Sequence, residues 1–567
     1  MPSPPAQGTS PVFSSLERAI SHGVIQRQLS SEEEETFPQL TQRGTHTDAY
    51  LEETRTGLVL ASEAAADFPV STSASRSRSR SQATLVSSPQ AAKGAAGDPE
   101  KGVVDAKLVT WVENDPENPR NWSNRKKWLQ TFLPSLLAFL SGFASAIITG
   151  GMPEMAEHFG VSELVVNLTV CVFVVGFGLG PLILSPLSEM FGRRIVYIVS
   201  MGLFAIFTLP GCITNSFAVM VVFRFIAGCF ASGVMCNAAG SIGDLWSVNE
   251  RGIKMAAFSS VLFASPCLGP LIGGYITLTI GWRWMWWVLF IFAVVTWAFT
   301  SILLVETYAP TLLKWRAKKL RKETGDASIM TEQERQGRPL AEVANESLLR
   351  PLVMLTTEPI MTAFSGYLCL IYGLLYAFFF AYPIVFIPHG FNTGEVGLTF
   401  MSIMIGIALV AVTGVPLQER YYERQVVKHN GHPPPEARLP LMMVCSLVLP
   451  ISLFIFASTS IKSVHWAGAL ISGIPFGYSL VGIYISANTY LAVTFSQYSA
   501  SAMAAKTFIR SMVGASCVMW VPPVYGAIGN LWAGMIFAFL SVAMMPIPFI
   551  FFKYGGKIRG RSKMATS

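Results

Sequence analysis

Charge is scarce in this chain. Only 13% of its 567 residues are Asp, Glu, Lys or Arg, against ~25% for an ordinary soluble domain. The mean hydropathy is +0.47 although the first hundred-odd residues are plainly polar. The remainder is too apolar for any water-facing fold, which excludes a cytosolic enzyme, a nucleic-acid-binding module and a secreted disulfide scaffold. Metal-binding and disulfide patterns are missing as well. The eight cysteines (Cys171, Cys212, Cys229, Cys236, Cys267, Cys369, Cys445, Cys517) fall inside apolar runs with no Cys-X-X-Cys or Cys/His spacing; they read as buried small hydrophobes. None of the seven histidines lies deep in an apolar run, which argues against an intramembrane metalloenzyme or haem protein. No nucleophile–His–acid set shares a depth, and no Walker phosphate loop is present. Catalysis and direct ATP drive are therefore not expected, and no cofactor or metal is implied. The N-terminus lacks a basic-then-apolar run, so no cleavable signal is expected.

What the chain has is long hydrophobic runs. Twelve of them are each long enough to cross a hydrocarbon core of about 30 Å as helices. They lie near 128–150, 163–186, 195–213, 217–241, 253–279, 284–305, 360–387, 396–416, 440–459, 465–489, 503–523 and 531–552. The fold class is an all-α polytopic membrane protein with two six-helix bundles, 128–305 and 359–552. A polar linker at 306–358 joins them, and a short tail follows at 553–567. Residues 1–120 are rich in Ser, Pro, Gln, Glu and Ala, with an acidic run at Glu32–Glu35 and a Ser/Arg alternation from Ser75 to Ser81; they are expected to be disordered. Lys and Arg concentrate on one side: Arg120, Arg125 to Lys127, Arg193, Arg194, Arg251, Lys254, the linker, Arg420, Arg424, Lys428, Arg438 and the C-terminal tail. Only Arg283 and Lys462 fall opposite. Both termini are thus expected in the cytosol.

Chemistry concentrates in a few places. The turn between spans two and three reads Ser185-Pro-Leu-Ser-Glu-Met-Phe-Gly192-Arg193-Arg194. Its acid, Glu189, is suited either to hold the N-terminus of the next helix or to pair with a neighbouring arginine. Leu417, Glu419 and Arg424 repeat the spacing of Leu187, Glu189 and Arg194, so the two halves read as degenerate copies. Arg224 lies well inside span four, where an arginine costs at least about 2.5–3.5 kcal/mol unless it faces a partner or cavity. Asp244 ends the same span, as an interfacial carboxylate or as an ion-pair latch. Span five carries Gly269, Pro270, Gly273 and Gly274, which are expected to bend it and let another helix approach closely. Gly176, Gly178 and Gly180 read as packing residues. Trp282, Trp284, Trp286 and Trp287 beside Arg283 read as an interfacial belt. Tyr372, Tyr376, Asn488 and Tyr490 are candidates for a central cavity.

These passages, taken in order, resemble the major facilitator superfamily, and within it the fungal twelve-span drug:proton antiporters. The resemblance covers roughly residues 110–563. It rests also on Asn118-Pro-Arg-Asn-Trp-Ser123 before span one, Arg224-Phe-Ile-Ala-Gly228, Ser265-Pro-Cys-Leu-Gly-Pro-Leu-Ile-Gly-Gly274, Glu306-Thr-Tyr-Ala-Pro310 and Lys553-Tyr-Gly555. It implies a cavity between two rocking bundles, alternating access, outward transport and proton coupling through Arg224. Glu189, Arg193, Arg194 and Asp244 would then gate, and Gly269, Pro270, Gly273 and Gly274 would form the hinge.

The implied function is proton-coupled export of a small organic molecule: a drug-like compound, secondary metabolite or organic acid. The alternatives are a nutrient importer of the same superfamily and a non-transporting sensor. The partners are that substrate, protons and the bilayer, with no nucleic acid, and the protein is expected to be a monomer. The membrane is the cell membrane, or else a vacuolar or other internal one. The spans hold almost no acid at mid-depth, which points to a neutral or anionic substrate. Two departures from the family pattern agree. Tyr490-Leu491 is followed by Ala492 and Val493 where the family often keeps an aspartate, and Lys506 precedes Arg510 where the family usually keeps only the arginine. Four residues apart, Lys506 and Arg510 share a helical face.

Overall fold

The computed structural model describes residues 107–562 apart from 248–249, 337–339 and 432, together with 85–86 and 564–565. Ten helical spans are separate: Asn124–Phe159, Glu163–Phe191, Arg193–Ile213, Phe217–Leu245, Arg251–Ile280, Arg283–Leu303, Pro359–His389, Thr393–Lys428, Pro440–Thr459 and Ala467–Thr494. The next, Ser499–Arg559, holds two crossings joined at Gly529, whose φ of 79° and ψ of 163° suit glycine alone. The twelve runs read from hydropathy are thus twelve spans, called one to twelve below.

Local chemistry sets their ends. Pro359 and Pro440 open spans seven and nine, where a missing N–H costs nothing. Asn392 and Glu395 form a reciprocal capping box at the start of span eight. Bulky apolar side chains such as Ile183, Ile206, Val295, Ile302 and Val412 point outward, a surface that hydrocarbon, unlike water, accepts. Span five continues as one helix through Pro266 and Pro270, and its glycines pack closely against neighbouring helices.

The aromatic belt is corrected in part. Trp284 is exposed, but Trp286 is buried beneath Gly211, which leaves room for the indole, and faces Arg224. The linker is structured too, as helices Ala309–Thr324 and Leu340–Thr357. Most of the polar N-terminal segment lies outside the described residues, yet its end is built in. Strand Lys107–Val109 pairs in parallel with Ile329–Met330, and Val109 packs with Ala317 and Ile329 in a small satellite core. Asp115 is buried against Arg316 Nη1 at 2.5 Å. Burial pushes the Asp115 carboxyl up, but the Arg316 hydrogen bond and charge, with the Glu117 amide, hold it below the usual range.

Candidate functional site: a cavity between two bundles

A small cavity lies where the two halves meet. Spans one, two, four and five of the first half contribute Gly142, Ser145, Phe177, Met235, Leu262, Phe263 and Pro266. Spans seven and eleven of the second contribute Tyr372, Leu375, Tyr376 and Arg510. Gly514 leaves room for the Tyr372 ring beside it, and Tyr372 meets Tyr376 edge-on at 5.1 Å. The Arg510 guanidinium lies 4.5 Å from the Tyr372 ring and 5.2 Å from that of Tyr484, which suits cation–π attraction. Lys506 Nζ is 5.3 Å from the same Tyr484 ring, and both cations are buried.

Arg224 sits behind this cavity in the first half, 2% exposed. Its Nε donates to the Thr169 carbonyl at 3.3 Å and its Nη2 to that of Ala144. The guanidinium lies 3.9 Å from the Phe173 ring and 5.3 Å from that of Trp286. Nη1 has no hydrogen-bond partner, and no carboxylate pairs with the side chain among the described residues. The cation is held by dipoles and aromatic faces alone.

On the linker side, the span two–three turn gathers a dense polar cluster. Arg193 Nη1 donates to Ser188 Oγ at 2.6 Å and to Asn237 Oδ1 at 3.3 Å, while Nε reaches Asp244 Oδ2 at 3.5 Å. Its guanidinium lies 4.9 Å from the Tyr308 ring. Burial, followed by the Glu189 charge, pushes the Tyr308 phenol up to about 12, so this ring meets Arg193 uncharged at neutral pH. Helix capping, one of the two roles open to Glu189, belongs instead to Glu306. That buried carboxylate accepts the backbone N–H groups of Arg193, Arg194, Thr307 and Tyr308 at 2.9–3.1 Å. Gly192, at φ 99°, leaves the space the carboxylate occupies. The other role open to Glu189, pairing with Arg193, falls to Asp244. Gln333 Nε2 donates to the Glu189 carbonyl at 3.4 Å. Arg194 turns away toward the Ser301 carbonyl at 3.4 Å.

The second half has its own version. Glu419 pairs with Arg438 Nη1 at 2.6 Å, whereas Arg424, suggested by the repeat spacing, is exposed. Arg438 lies 3.4 Å from the Tyr422 ring. The Glu419 carboxylate also crowds Gly252, at the start of span five in the other half.

Opposite the linker, the halves meet through backbone. A Cβ on Gly274 would stand 2.6 Å from the Thr393 carbonyl oxygen, and one on Gly397 would stand 2.6 Å from that of Pro270. Gly269 and Gly273 instead face span one of their own half, at Ala146 and Ile147. The four residues expected as a hinge thus divide: Gly269 and Gly273 pack within a bundle, while Pro270 and Gly274 seal one bundle on the other. Gly178 also touches across the halves, at Phe508, Ser511 and Met512.

Among the cavity candidates, Tyr372, Tyr376 and Arg510 line it. Lys506 stands one turn away, beside Tyr484. Asn488 is buried in span ten without a partner for Oδ1. Tyr490 is not in the cavity: it stacks on Phe364 at 4.8 Å and neighbours Phe551. Glu306, Ser188, Asn237 and Arg438 were not legible as site residues. The Glu306 motif marked its place but not its partner, more than a hundred residues earlier.

The profile of the Major Facilitator Superfamily matches residues 135–518. The chain is 37% identical over 461 residues to the major facilitator superfamily multidrug transporter mdrA of Aspergillus fumigatus, covering 81% of this chain and 76% of that one. It is also 37% identical to Polyamine transporter 3 of Saccharomyces cerevisiae, covering 80% and 73%. The proton:xylose symporter XylE shares its fold, with a TM-score of 0.55 at 15% identity over 76% of this chain and 96% of the other. Two six-span bundles around one cavity, with a profile match across more than half the sequence, lead to one conclusion: the chain belongs to the major facilitator superfamily.

Proposed function

We propose that the protein exports a small organic molecule by alternating access, coupled to protons, with both termini in the cytosol. The observation that carries this reading is Arg224, a cation buried beside the inter-bundle cavity and held without a carboxylate. Such placement is costly for packing alone and marks a pathway. Two contact zones flank the cavity, Gly252 with Glu419 on the linker side and Gly274 with Thr393 on the other. Opening one while the other stays shut exposes the cavity to one side at a time. The arginine senses occupancy through the cavity wall: Ala144, whose carbonyl it holds, adjoins the lining residue Ser145. The gating residues are Arg193 and Asp244 in one half and Glu419 and Arg438 in the other. The name of one relative, the MFS-type efflux pump MFS2 of Trichophyton rubrum, supports an efflux role.

The test is transport by the purified full-length chain in proteoliposomes of known orientation, with a pH gradient imposed in either direction. A panel of drug-like and metabolite-like compounds should move against its gradient only when protons flow the opposite way. Transport that ignores the proton gradient, or runs with it, would overturn the antiport reading.

A further inference from the structure

The cavity wall carries one cation, Arg510, and no acid. Every Asp and Glu within the described spans lies toward an end: Glu154, Glu157, Glu163, Glu189, Asp244, Glu395, Glu419 and Glu423. The charges nearest mid-depth are Arg224, Lys506 and Arg510, at most 3% exposed. Arg510 lines the cavity itself, and Lys506 follows it along the same helical face toward the linker side. The Tyr484 ring lies within 5.3 Å of both cations and meets Phe263 edge-on at 4.6 Å. The remaining wall is ring surface from Phe177, Phe263, Tyr372 and Tyr376 and aliphatic surface from Leu262 and Leu375, with the Ser145, Tyr372 and Tyr376 hydroxyls as its polar points.

We propose that this cavity takes an organic monoanion with a flat apolar body, its carboxylate or sulfonate meeting Arg510 and its body lying between Phe263 and Tyr372. The proposal rests on the transporter reading above and names its substrate class. A guanidinium presents a planar fork that matches a carboxylate, in a site where water is scarce and the interaction strong. Lys506 adds a second positive charge on the route from the linker side, favouring entry of an anion. Arg224, with Nη1 unpartnered behind the opposite wall, adds positive potential from the other half. An organic cation would find repulsion from both bundles and no carboxylate in the lining to offset it.

The test uses the full-length protein in neutral-lipid nanodiscs and three probes: 2-naphthoate, 2-naphthamide and spermidine, the last from the class named for one relative. Binding is read by calorimetry, and counterflow is then measured in proteoliposomes. 2-Naphthoate should bind most tightly. Arg510→Gln should weaken it about 10- to 100-fold and weaken 2-naphthamide, which offers only a neutral acceptor, far less, and Arg510→Lys should recover part of the loss. Thermal melting checks each variant; if Arg510→Gln does not fold, Lys506→Gln carries the test, with slower counterflow of the anion alone. Equal binding of acid and amide, tighter binding of spermidine, or an anion affinity unaffected by these substitutions overturns the proposal. Anion binding without counterflow would sink the transporter reading and leave the site standing. Counterflow of the amide alone would do the reverse.

Discussion

Gly273 and Gly274 are neighbours in sequence, yet substitution at each should fail differently. A Cβ at Gly274 would stand 2.6 Å from the Thr393 carbonyl oxygen, where ordinary contact begins near 3.4 Å. The seam between the bundles must then open by about 0.8 Å, or the backbone must shift. Overpacking of this kind costs about 1–3 kcal/mol. Thr393 belongs to the opposite bundle, so the cost falls only on the state in which this side is shut. It becomes a population shift of about 5- to 150-fold toward the state open there. Gly273 faces the Ile147 carbonyl in its own bundle, a contact that moves as a unit with span five. Gly273→Ala should lower the melting temperature and leave the balance of states alone. The assay is alkylation of a Ser145→Cys reporter in a cysteine-depleted background by an impermeant maleimide added opposite the linker. Gly274→Ala should raise the rate and Gly273→Ala should not. Equal rates for Gly274→Ala and parent, or equal increases for both variants, would refute the reasoning.

Arg224→Ala should abolish proton-coupled efflux while the protein still reaches the membrane and melts near the parent; Arg224→Lys should also be impaired, because an ammonium cannot reach Thr169 and Ala144 with one planar group. Normal coupled efflux by the alanine variant would end the coupling role. Glu306→Ala removes the acceptor of four backbone N–H groups and should cost about 2–3 kcal/mol of stability, read as a lowered melting temperature with slower labelling-independent recovery of transport after mild heating; an unchanged melt would contradict the capping role. The docked segment 107–121 should loosen in acid. The native Asp115 carboxyl lies below its ordinary value of 3.8, so its contribution is present above that value and disappears as pH falls below it through the native value. Hydrogen exchange at residues 107–121 between pH 5 and pH 2 reports this, and protection that persists at the acid end would argue against Asp115 as the anchor.

Much of this architecture is legible from hydropathy, because a lipid solvent forces each apolar run of sufficient length into a helix. Rotational phase is not. Lipid and protein interior are equally apolar, so a run such as 283–303 does not reveal which face turns inward. That is why Trp286 reads as a belt residue and proves to be a buried neighbour of Arg224, and why Tyr490 reads as a cavity residue and stacks on Phe364. Arg224 and Asp244 stand out because charge in an apolar run needs a reason. Glu306 does not, because an acid in a polar linker needs none; its importance comes from backbone groups over a hundred residues earlier. The repeat spacing marks Glu419 and Arg424 but says nothing of the arginine that Glu419 pairs with, Arg438, which arrives from beyond a turn whose length spacing does not encode.

The two contact zones flanking the cavity differ in material. Opposite the linker, closure brings glycine and proline backbone against backbone, and such residues have almost no side-chain rotamers to freeze. That door shuts at little entropic cost and, among the described residues, holds no ion pair; the Tyr275 ring beside Gly394 is its aromatic edge. On the linker side the Glu419 carboxylate, shared between Arg438 and the start of span five, must be stripped of water at each closure and rehydrated at each opening. Salt therefore has purchase on one door and not the other, and raising it should alter the dwell time of a single step in the cycle.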